Sequence, residues 1–223
     1  MNASVKRLAA LLAKDAAIHG RDILLTMGAL VGLSAALWWF GRQPFDVLMS
    51  VIFTFNFLLA GFWGDWLISR EKTKGTFAWI RSTPVDDREL VLAKVAAVSI
   101  CVTVLWTATS VLCGAAYWLA GRAHLWVGLL LILLAFAAVS IASRWRFGQK
   151  LGQNLPFLLV GLFMAIVTIA ARTGEPMLID PERLLRTHQG VVLIASLAAA
   201  TFVGAVTLTL HWVRRSDTVQ LLE

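Results

Sequence analysis

Charge is scarce in this chain. Only 15% of its 223 residues are Asp, Glu, Lys or Arg, against roughly 25% in soluble domains, while 59% are hydrophobic and the mean hydropathy is +0.76. Water cannot be the main solvent of such a chain, and several spans of about 20 residues leave no room for a large soluble domain. Cysteine is almost absent too: Cys101 and Cys113 fall in one apolar run, which argues against an isolated structural disulfide and for small buried thiols. No Cys/His spacing suits a metal, and His19, His124, His188 and His211 are scattered along the sequence. An enzyme needs acid, base, nucleophile or metal groups converging at one depth, and none is evident. The Gly-x-x-x-x-Gly-Lys-Ser/Thr phosphate loop is missing, so ATP cannot be bound here in the usual way. Nor does the start resemble a cleavable leader, because Lys6, Arg7, Lys14, Asp15, Arg21 and Asp22 interrupt its apolar residues.

What remains is a set of apolar runs long enough to cross a bilayer, and the chain reads as one all-α membrane domain over 1–223 with six transmembrane helices. The spans are expected at 22–40, 45–68, 90–119, 125–143, 155–171 and 191–213. Ahead of them, 4–21 reads as an amphipathic helix lying at the membrane interface: Lys6, Arg7, Lys14 and Arg21 share one sector, with Val5, Leu8, Leu11, Leu12 and Ile18 opposite. Asp15 and His19 form an i, i+4 pair on its apolar side, which either hydrogen-bonds internally or to the loop described below, or is solvated at the helix edge. Aromatic belts close the first and third spans at Trp38-Trp39-Phe40 and Tyr117-Trp118.

Polar residues inside the spans are few. Thr54 and Asn56 lie mid-way along the second, and Thr201 and Thr207 in the sixth. An Asn deep in lipid must face other helices or a cavity, so Asn56 points inward, either to bond a neighbouring helix or to line a substrate path. Asp65 sits close to Arg70 and Lys72 at the inner end, where an ion pair or headgroup-level placement avoids the about 2.5–3.5 kcal/mol cost of a charge at a helix centre. Lys94 is expected to snorkel to the inner interface. Asp180 followed by Pro181 is a helix start, predicting a short outer helix between the last two spans.

Basic residues are distributed unevenly. Four lie before residue 22, six in 70–94, three in 144–150 and two at 214–215, which makes 15 of the 20 on one side of the six-span arrangement and five on the other. That asymmetry puts both termini in the cytoplasm. It also accounts for much of the net charge of +7 without nucleic acid.

The densest run of charge is 70–94, a polar island between two spans. Gly75 breaks the chain after a charged turn, Phe77, Ile80 and Arg81 follow at helical spacing with Trp79 beside them, and Pro84 ends that short helix. Asp86 then stands three residues before Glu89, an aspartate-led capping box ahead of the next apolar run. Such a helix, held at the membrane surface with an aromatic and aliphatic face, either inserts into a groove on a partner or anchors in the headgroups through Trp79.

Glu71, Lys72, Lys74, Gly75-Thr76, Ser82-Thr83-Pro84 and Lys94 resemble the loop between the second and third spans of type 2 ABC exporter membrane subunits. Thr73 replaces the second acid of that pattern and Ala93 the glycine before the lysine. The resemblance implies a permease subunit, not an enzyme, driven by a separate ABC ATPase that holds the ATP and Mg. It implies a coupling loop at 71–89 in which Glu71, Gly75, Thr76, Phe77, Trp79, Ile80, Arg81 and Pro84, together with Asp15 of the N-terminal helix, meet that ATPase. It further implies a dimer, a homodimer before a heterodimer, in the inner membrane of a bacterium. Thr54, Asn56, Thr201 and Thr207 are the candidate path for a hydrophobic or amphipathic cargo: a drug, peptide or lipid-like molecule. A haem-export permease and a membrane assembly or scaffold protein remain the alternatives.

Overall fold

A computed structural model of the chain describes residues 3–41, 52–63, 66, 86–112, 123–173 and 187–215, and these are helical apart from Asp86 and Thr187. Helix α1 is Ala3–Gly41, α2 is Ile52–Trp63, α3 is Asp87–Leu112, α4 is Ala123–Thr173 and α5 is His188–Arg215. Among the described residues four segments are long and apolar enough to cross a membrane, Val5–Leu37, Arg88–Val111, Leu125–Gly148 and His188–Val213, with Ile52–Trp63 a shorter apolar helix. The expected outer helix at 180–186, Asp65, Tyr117, Trp118 and the loop up to residue 85 lie outside the described residues.

Helix α1 departs from expectation. The interfacial helix of 4–21 and the first span are a single helix of 39 residues, about 58 Å long at 1.5 Å per residue. A lone Gly20 does not break a helix that tertiary contacts support, and no proline stands at the expected junction. The contacts come from α3. Arg7 on α1 meets Glu89 and Asp15 meets Lys94, so the N-terminal half packs along α3, and the two helices run parallel.

Parallel neighbours require a return leg, and α2 supplies it. Phe53 and Asn56 touch Trp106 and Thr109, well up α3, whereas Trp66 packs on His19, one turn beyond Asp15. Progress along α2 is therefore descent along α1 and α3.

A second up-and-down set follows. Helix α4 is broken at Gly148, whose φ of 71° and ψ of −165° are open essentially to glycine alone. Phe136 and Phe157 would be about 31 Å apart in a straight helix, yet their rings meet edge to face with centroids 5.7 Å apart. The two arms of α4 therefore fold back on each other, replacing the expected basic loop between the fourth and fifth spans by a one-residue corner. Helix α5 then runs parallel to the first arm: a Cβ at Gly128 would touch Val191 at one end, and Arg146 lies 5.7 Å from the Trp212 ring centroid at the other.

The core is aromatic. Phe57 stacks on Phe136 at 4.0 Å, and Trp63, Trp106 and Trp145 are almost wholly buried. Outside, Leu24, Leu25, Trp39, Leu158 and Leu197 are among many large apolar side chains more than half exposed. That much apolar surface suits lipid and not water.

Candidate functional site

Helix α3 starts where the sequence places its cap. The Asp86 carboxylate accepts the Arg88 amide at 3.3 Å and the Glu89 carboxylate accepts the Asp86 amide at 3.4 Å, satisfying donors that a helix start otherwise leaves unpaired. Glu89 uses its other oxygen on Arg7: Nε and Nη2 donate to Oε1 at 3.0 and 2.9 Å. One glutamate thus caps α3 and ties it to α1.

Two turns further along, Lys94 is turned inward. Its Nζ donates to Asp15 Oδ1 at 2.8 Å, and Lys14 Nζ approaches the same oxygen at 3.2 Å. Asp15 and Lys94 are 3% and 1% exposed, and Leu11, Leu90, Val91, Ala93 and Val95, near them along the two helices, are buried too. Lys94 therefore does not snorkel, because the carboxylate pairs its charge inside the bundle. The expected Asp15–His19 pair or solvated edge is replaced likewise: Asp15 faces α3, and His19, fully buried, packs its ring 5.2 Å from that of Trp66. Sequence reasoning singled out Lys94 and Asp15 separately but missed their union. The apolar side of α1 carrying Asp15 was its only local sign.

Asn56 is buried and donates through Nδ2 to the Ile52 carbonyl at 2.9 Å and to Thr109 Oγ1 at 3.4 Å. The other three residues of the candidate path are not brought to it. Thr54 is exposed on α2, and Thr201 and Thr207 are exposed on α5, their hydroxyls donating to the carbonyls of Leu197 and Val203 at 2.8 and 2.9 Å. Thr201 does line a groove of about 280 Å³ with Phe57, Ile132, Phe136, Val139, Pro156 and Val160. Apart from Thr201 these apolar residues had no mark in the sequence, since only the fold gathers them. Of the expected ATPase contacts, Glu71, Gly75, Thr76, Phe77, Trp79, Ile80, Arg81 and Pro84 lie outside the described residues. Among the described residues no three His, Cys, Asp or Glu side chains group as metal ligands.

A family model described as ABC-2 family transporter protein matches residues 22–174, over half of the chain. The match runs from the middle of α1 to the end of α4 and takes in the polar island, while Arg7, Lys14, Asp15 and α5 fall outside it. No curated protein matches the chain.

Proposed function

The chain belongs to the ABC-2 transporter family, and from that premise we propose that it is the permease subunit of an exporter worked from the cytoplasmic side by a separate ABC ATPase. Membership makes it a multi-pass membrane protein and a transport subunit. The observation that carries the finer reading is the island at 71–84, with its Gly-Thr and Ser-Thr-Pro punctuation, lying inside the matched range and leading directly into the capped start of α3.

Glu71, Gly75, Thr76, Phe77, Trp79, Ile80, Arg81 and Pro84 form the surface the ATPase pushes. ATP and Mg stay in that partner. Asp15, buried against α3, does not itself offer a contact surface; its part is to transmit. When two ATPases close on ATP, the island moves the start of α3, and the spans behind it rock to change which side a central path faces. One island per chain suits one of two ATPases, so a two-fold homodimer is the economical assembly. Thr54 and Thr207, exposed on the single chain, line a path only where a second copy closes it. The cargo is hydrophobic or amphipathic, in keeping with the apolar groove beside Thr201. The membrane is a bacterial inner membrane, and the basic residues hold both termini in the cytoplasm.

Copurification tests this. The tagged chain brings down an ABC-class ATPase, and Trp79→Asp or Phe77→Asp abolishes permease-stimulated ATP hydrolysis while the subunit stays folded in the membrane. A chain that brings down no such ATPase is a scaffold or assembly protein instead.

A further inference from the structure

Helices α1 and α3 meet through two kinds of contact. One is apolar, since Leu11 of α1 belongs to the same buried core as Leu90, Val91 and Val95 of α3; the other is the buried pair of Asp15 and Lys94. An apolar seam tolerates sliding, because one ridge of side chains can be exchanged for the next. An ion pair does not. A slip of one turn, about 5.4 Å, parts the buried Lys94 ammonium from the buried Asp15 carboxylate, and separating two charges inside the bundle is costly. Of the two ammonium groups on Asp15 Oδ1, Lys14 belongs to α1 itself and Lys94, at 2.8 Å, is the one that crosses from α3, so it is Lys94 that favours the observed register. Nearby, the exposed Arg7 and partly buried Glu89 repeat the same register at the end of the contact.

We propose that the Asp15–Lys94 pair is a registration joint: it makes the N-terminal half of α1 and the beginning of α3 one rigid body, so that a push on α3 from the island tilts the first span as well. The continuity of α1 is what gives this consequence. Because the helix runs unbroken from Ala3 to Gly41, a displacement received at Asp15 reaches its far end without a hinge to absorb it. Lys94 receives that displacement two turns into α3, and Asp15 passes it on. Both are positioning residues. The pair fixes the register of the two helices and is not needed to hold them together, since a buried pair replaced by apolar residues of similar volume commonly costs little or nothing.

The inference rests on the ATPase-driven reading, and its test separates the two. The complex of the full chain with its ATPase is reconstituted in phospholipid nanodiscs, on a background of Cys101→Ala and Cys113→Ala. Arg7→Cys and Glu89→Cys are added and joined by a short bis-maleimide. The rate of cross-linking is expected to be the same without nucleotide and with ATP and vanadate, because the two helices travel together. In Asp15→Leu/Lys94→Met the melting temperature stays within a few degrees, the cross-linking rate falls severalfold, and permease-stimulated ATP hydrolysis drops about tenfold. Joining positions 7 and 89 in that variant restores hydrolysis to within twofold. Loss of activity on cross-linking the otherwise unaltered pair shows that α1 and α3 slide past each other, which overturns the joint. So does an Asp15→Leu/Lys94→Met variant with full activity and an unchanged cross-linking rate. If no ATPase copurifies at all, the transporter reading fails, and the cross-linking rates without nucleotide still decide whether the pair sets the register.

Discussion

Gly61 and the ring of Phe136 touch backbone to ring, since a Cβ built on Gly61 falls 2.5 Å from Phe136 Cε1 and 3.0 Å from Phe157 Cζ. Phe136 is in turn stacked on Phe57 at 4.0 Å and edge-on to Phe157, so moving it disturbs both partners. This is where α2 wedges between the two arms of α4. Gly61→Val is expected to overpack that wedge and destabilise the protein by about 1–3 kcal/mol, seen as a lower melting temperature in detergent. Gly28→Ala, at a helical position with nothing within 4 Å, serves as the control and leaves the melt in place or raises it slightly.

The corner at Gly148 gives a second expectation. A side chain at φ 71° and ψ −165° costs on the order of 1–3 kcal/mol. Gly148→Ala should lower the denaturation midpoint accordingly, and Gly148→Val should lower it further. An unchanged midpoint in both variants would mean that the arms turn elsewhere.

The two α1–α3 ion pairs differ in what their loss does. Arg7 keeps 43% of its side chain exposed, so Arg7→Ala costs no more than about 1 kcal/mol and less in high salt. Asp15→Ala leaves Lys94 buried without its carboxylate, at about 3–5 kcal/mol. Denaturation of the two variants side by side, at low and high ionic strength, checks both the ranking and the salt response.

Asn56 is held by Thr109, and its Oδ1 is buried with no hydrogen-bond partner among the described residues. Interhelical hydrogen bonds in membranes average about 0.6 kcal/mol, and Asn56→Leu removes the bond and the unsatisfied oxygen together. Stability is expected to move by less than about 1 kcal/mol either way. Should export fail while the melt is unchanged, Asn56 belongs to the cargo's path and not only to the α2–α3 contact.

Some of this was legible residue by residue. Asp86 and Glu89 stand three apart ahead of an apolar run; Glu89 takes the Asp86 amide as such spacing specifies, while the Asp86 carboxylate takes the amide of Arg88, and both bonds are settled within one turn. Gly148 was passed over within a basic stretch, since a glycine in sequence does not announce its φ. The coaxial run of α1 was not legible either: the basic sector of 4–21 suggested a helix resting on headgroups, and its actual support, Glu89 and Lys94, lies about 80 positions away in the chain.

The sequence by itself determined the solvent, the helical class and the kind of protein. Scarce charge, apolar runs of spanning length and a punctuated polar island are composition and short-range pattern, and the physics they invoke acts over a few residues or through the surrounding lipid. Only the tertiary structure decided who pairs with whom. Lys94 inward instead of outward, Asp15 on α3, Asn56 on Thr109 and the doubled-back arms of α4 are each a choice between satisfying a polar or conformational demand locally and satisfying it across the bundle. That choice turns on which polar side-chain atoms of different helices come within about 3 Å of one another, and no short stretch of the chain contains that information.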